Sequence, residues 1–158
     1  MDAMWELKVA GEVAVAMLLG GLIGLEREAA HKPAGFRTHM LVSGAAALFV
    51  GVGHALVQTF GEYATVRVQS DPVGLIGAIV TGVSFLGAGT IILRRGHEAV
   101  AGLTTAASLL FSAGLGVCVA LERFILAGSV TILALVALRG VRFIERWIAG
   151  RRCAPPAE

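Results

Sequence analysis

The sequence predicts an all-α, polytopic membrane bundle of about five spans, and three observations predict it. Hydrophobic residues make up 56% of the 158-residue chain and charged residues only 15%, against about 25% charged in soluble domains. The apolar residues gather into five stretches near the length of about 20 residues that a spanning helix needs, and mean hydropathy is +0.81. The 21 glycines sit mostly inside those stretches, as expected where helices approach closely in lipid.

The predicted spans are residues about 9–25, 38–58, 73–93, 100–120 and 124–141. The opening octet MDAMWELK mixes Asp2 and Glu6 with Lys8 and is not a basic leader, so the first apolar run is expected to be retained. Residues 1–150 read as one membrane domain and 151–158 as a short cytoplasmic tail. Ten of the 13 basic residues (Arg27, Lys32, Arg37, Arg94, Arg95, Arg139, Arg142, Arg146, Arg151, Arg152) then fall on one side, with Lys8, Arg67 and Arg123 on the other. Basic loops stay in the cytoplasm, which predicts an external N-terminus and a cytoplasmic C-terminus.

The net charge of +2 is too small to suggest nucleic acid, and Cys118 and Cys153 form neither a disulfide framework nor a metal spacing. Phosphate-binding loops, zinc-ligand sets and nucleophile–base patterns are absent from the sequence, so no enzyme is expected.

Packing faces follow from spacing. Gly20 and Gly24 form a GxxxG in the first span, and Gly87, Gly89 and Gly102 loosen the junction of the third and fourth. Such faces suggest a homodimer as well as contacts within the chain. Thr104, Ser108, Ser112 and Gly116 recur every four residues and draw a narrow polar stripe along the fourth span.

Ionisable residues within spans are site candidates by default. Glu12 and Glu26 share a face of the first span, about 40° apart in azimuth and about 21 Å apart along it. Glu26 and Arg37 end one span and begin the next, with opposite charges, and are expected to pair. Thr38, Thr104, Thr105 and Ser108 are lesser members of that polar centre. Asp71 before Pro72 suits a helix N-cap as well as a site, and should lie at the opposite surface from Thr104 and Thr105. Arg27, Lys32 and Glu28 read as topology and solubility.

The stretches GLIGLERE (Gly21–Glu28), GFRTHMLVSGAAALF (Gly35–Phe49), Asp71-Pro72, VTGVSFLGAGTI (Val80–Ile91) and GLTTAASLLFSAGLG (Gly102–Gly116) occur in that order. Together they resemble the MgtC/SapB family of bacterial inner-membrane proteins, over roughly residues 13–120. The resemblance implies five spans, a cytoplasmic C-terminus, and a role in adaptation to magnesium limitation and, in some pathogens, virulence. It also implies action on other membrane proteins such as magnesium pumps and ATP synthase. Members usually carry Gly at Ser84, a basic residue near Gly74, Gln near Ala78 and Trp near Leu110. Many add a soluble domain after the fifth span, where only Cys-Ala-Pro-Pro-Ala-Glu follows Arg152, so a membrane-only member is expected. The rival expectation is a small dimeric cation transporter with proton coupling through Glu12, Glu26 and Asp71. No organic cofactor is expected, and a divalent cation is the one bound species these carboxylates would suit.

Overall fold

The computed structural model describes residues 3–63, 71–92 and 102–152, all helices and short turns, with no strand among them. The helices are α1 (Ala3–Ala29), α2 (Phe36–Tyr63), α3 (Pro72–Ile92), α4 (Leu103–Ala120) and α5 (Phe124–Arg152). The first four are long and apolar enough to cross a membrane, while the apolar part of α5 is Phe124–Gly140. Several helices outrun the predicted spans because their polar ends stay helical: α1 continues through Glu26, Arg27 and Glu28, and α5 through the arginines to Arg152. The loop expected to join the third and fourth spans falls at 93–101, outside the described residues.

Two helices end in the same device. His31 and Glu122 adopt positive φ (54° and 59°). His31 N–H donates to Glu28 O and Lys32 N–H to Arg27 O, while Glu122 N–H donates to Val119 O and Arg123 N–H to Cys118 O. This is the Schellman closure that glycine usually serves, and a side chain at such a φ costs about 1–2 kcal/mol. At the start of α2, Phe36 N–H donates to the Glu28 carboxylate at 2.9 Å, placing a negative charge on the positive end of that helix. Glu28 is thus a capping group for the next helix, beyond the topological role read from the sequence. Asp71 caps α3, its Oδ1 accepting from Gly74 N–H at 2.8 Å.

Helix α4 stands at the centre, packed against α1, α2, α3 and α5. One apolar layer joins α2, α3 and α4 through Val42, Ala46, Ile79, Val83, Leu109 and Ala113. A second joins α1, α2, α4 and α5 through Ala16, Ile23, Ala47, Leu115, Val119 and Ala127. Large apolar side chains such as Leu18, Phe85 and Ile125 face outward, which costs nothing in lipid, while Glu26, Arg27, His39, Ser43, Thr105, Ser108 and Ser112 face in.

Glycine sets how closely the helices meet. A Cβ on Gly20 would lie 2.5 Å from Ser43 Cβ and 2.7 Å from His39 O, and one on Gly24 would lie 2.7 Å from Phe36 Cα. The GxxxG of α1 is therefore spent on α2 of the same chain, which removes it as the subunit contact the spacing also suggested. Gly87 meets Ala106 of α4, and Gly102 meets the backbone of Thr90 and Ile91. Gly89 has open space where its side chain would stand, so the packing role expected of it finds no contact among the described residues.

Candidate functional site

The close approach of α1, α2 and α4 at the end holding the α1–α2 turn encloses a polar centre. Glu26 and Arg27 lie in the last turn of α1 and are each about 2–3% exposed. Arg27 Nε donates to Glu26 Oε2 at 2.6 Å. Consecutive helical residues point about 100° apart, so this pair forms only because the arginine's long side chain folds back across the helix. An arginine in the last turn also meets the negative end of the helix dipole, which alone would disfavour Glu26.

The sequence expectation paired Glu26 with Arg37. The structure sets Arg27 against Glu26 and leaves Arg37 and Thr38 exposed in the first turn of α2. The reason is that α1 stays helical through Ala29, which carries Arg27 into the core rather than into a loop. The next turn of α2 supplies His39, fully buried, with Nδ1 2.9 Å from Gly35 O and Nε2 3.0 Å from Ser108 Oγ. Ser108 Oγ also lies 2.8 Å from Thr105 O.

Other expected members scatter. Thr105 is buried in the centre, while Thr104 is exposed along a groove between α4 and α5. Asp71 caps the far end of α3, as its expected separation from Thr104 and Thr105 requires. Glu12 is buried near the other end of α1, 3.9 Å from Lys8. Sequence reasoning missed His39 and assigned Arg27 to a loop. The signal for His39 was available: an ionisable residue just inside an apolar run, four residues before Ser43 on the same face.

Among the described residues the centre pairs one carboxylate with one guanidinium and is buried. Arg27 supplies the counter-charge that a cation at Glu26 would need to displace, and no three His, Cys, Asp or Glu side chains gather as metal ligands among the described residues. The donor set therefore does not fit a divalent cation there. The His39–Ser108 pair has the atoms of a base and a nucleophile, but Ser108 sits mid-helix, where backbone N–H groups are committed to the helix and cannot hold an oxyanion.

At the opposite end Lys8 hydrogen-bonds Glu122 across α1 and the α4–α5 turn. That bond and the lysine's charge hold the exposed Glu122 carboxyl below its ordinary range. A depressed folded value means the contribution is present above the ordinary glutamate value and disappears as pH falls through the folded one. Glu122→Gln should flatten the acid limb of a thermal-midpoint profile and remove part of its salt dependence, by a small amount because both groups are exposed.

Comparison with known proteins supplies the family. The MgtC family model matches residues 13–147. An uncharacterized protein of Haemophilus influenzae is 34% identical over 144 residues, covering 90% of this chain and 59% of that protein. Protein MgtC of Salmonella typhimurium is 43% identical over 123 residues (77% and 47%), and Protein SapB of Bacillus subtilis is 37% identical over 105 residues (66% and 44%). The chain thus spans about half the length of these curated relatives. No solved structure gives a significant match. With four helices able to cross a bilayer and a family match over most of its length, this is a multi-pass membrane protein, and the chain belongs to the MgtC family.

Proposed function

We propose that the protein serves magnesium-related ion homeostasis in the bacterial inner membrane by acting on other membrane proteins, without itself carrying ions or catalysing a reaction. With α5 taken as a fifth span, the bias of basic residues puts the N-terminus outside and the C-terminus inside. The observation that carries the reading is the dry layer between the two ionic ends of the bundle. Ala16, Ala47, Leu115, Val119 and Ala127, each 1% exposed or less, separate Glu26–Arg27–His39 from Lys8–Glu12–Glu122. An ion crossing between these ends would exchange its water for this alkyl layer and the few buried hydroxyls of Ser43, Ser112 and Thr131, a large desolvation cost with no charged group to offset it among the described residues. Partners of the kind the family resemblance implies, cation pumps or ATP synthase, would meet the broad apolar outer faces within the bilayer.

The rival is a small dimeric transporter using Glu12 and Glu26. Purified protein in liposomes, assayed for magnesium, potassium, sodium and proton flux with and without a proton gradient, separates the two. The expected result is flux equal to protein-free vesicles. Gradient-dependent flux abolished by Glu12→Gln would establish the transporter instead.

A further inference from the structure

Made as hydrogen bonds all at once, the contacts of His39 use one more proton than a neutral imidazole and one hydroxyl supply together. The Gly35 carbonyl only accepts, so at 2.9 Å Nδ1 must carry a proton. The Thr105 carbonyl also only accepts, so the 2.8 Å contact from Ser108 Oγ uses the hydroxyl proton. The 3.0 Å contact between Nε2 and that same Oγ then needs a proton on Nε2. All three contacts are hydrogen bonds at once only when the ring is an imidazolium. With a neutral ring the hydroxyl must turn from Thr105 O to Nε2, and the other heavy atoms need not move. The site accommodates both protonation states at the cost of one hydroxyl rotation.

A second observation is independent of this proton count. Ser43 Oγ, Thr105 Oγ1 and Ser112 Oγ are buried without a hydrogen-bond partner among the described residues, whereas Thr81, Thr90, Ser129 and Thr131 each donate to a carbonyl of their own helix. Buried hydroxyls left open are rare and call for a reason. Ser43 is one turn beyond His39 on α2, and Thr105 and Ser112 lie about one turn either side of Ser108 on α4, so the three open hydroxyls lie on the same two helices within a turn of the His39–Ser108 contact.

We propose that His39 is a buried proton-binding site, and that its charged form ties α2 to α4 through Ser108. The charged groups facing it among the described residues are Glu26 and Arg27 of α1, which act on it in opposite senses. Arg37 on its own helix is exposed. Helix α3 carries no Asp, Glu, Lys, Arg, His or Cys, and α4 carries only Cys118, three turns beyond Ser108. An added proton is therefore held by the Gly35 carbonyl and the Ser108 hydroxyl, with the Glu26 charge in favour and the Arg27 charge against. Proton binding here is separate from the question of transport, since a dry layer closes the centre from the other end.

The test uses the full chain with His31, His54 and His97 replaced by glutamine, leaving His39 as the one histidine. Side-chain ¹⁵N spectra of labelled protein in detergent are followed from pH 8 to pH 4.5. The expected result is a reversible change from one protonated ring nitrogen to two while the protein stays folded. Ser108→Ala should weaken proton affinity about tenfold, the size expected for one hydrogen bond to a charged group, and Ser108→Thr should restore it. If the alanine variant does not fold, Ser108→Cys replaces it, because a thiol accepts weakly and should give the same direction of shift. A ring that keeps one protonation state across the range in folded protein overturns the proposal. So does a midpoint indifferent to loss of the Ser108 hydroxyl.

Discussion

Arg27→Gln should destabilise the folded protein by about 3–5 kcal/mol, the size of effect seen when one member of a buried ion pair is removed. Glu26→Gln should be of similar size, since it strands the guanidinium in the same low-dielectric core. The double variant Glu26→Gln with Arg27→Gln should lose clearly less than the two single losses added, because both charges of the contact go together and residues in contact are not additive. Arg37→Gln, at an exposed position, should stay within about 0.5 kcal/mol. Thermal midpoints in detergent, read by size-exclusion chromatography after heating, rank the four variants. If Arg37→Gln falls as far as Arg27→Gln, the charge partner of Glu26 is Arg37 and the packing of the last turn of α1 is different from that described here.

That contrast marks where the sequence could be read and where it could not. The helices were legible because each span is a dense apolar run, and hydropathy survives any detail of packing. The polar centre was half legible. Glu26, Thr105 and Ser108 stood out as polar residues inside apolar stretches, and all three are buried together. Arg27 did not, because the rule that basic residues mark cytoplasmic loops assumes the helix has ended, and the last turn of α1 runs past it. The closures at His31 and Glu122 were also hidden, since a Schellman turn is normally announced by glycine and neither position has one. Glu28 read as a loop charge because its role depends on α2 beginning within reach of its carboxylate, a fact of tertiary structure. Asp71 was ambiguous between cap and site, and the Gly74 bond shows the cap.

Glycine substitutions should then change sign with position. Gly20→Ala and Gly24→Ala place a methyl 2.5 Å from Ser43 Cβ and 2.7 Å from Phe36 Cα, well inside contact distance. Forcing atoms into a packed interface costs about 1–3 kcal/mol each. Gly116→Ala should be worse, because its methyl would run into the backbone oxygen of Ser43, and neither α2 nor α4 can yield without disturbing His39 and Ser108. Gly114→Ala, on the same helix with nothing within 4 Å of its Cβ position, should instead stabilise by about 0.5–1 kcal/mol, the helical advantage of alanine over glycine. Thermal midpoints of the four variants test the pattern directly. The same contacts bear on oligomerisation. With Gly20 and Gly24 committed to α2 of their own chain, Gly20→Leu should remove folded protein and any crosslinked dimer together. A Gly20→Leu protein that stays folded and loses only the dimer would mean that α1 offers this face to a second copy, and that its packing on α2 is wrong.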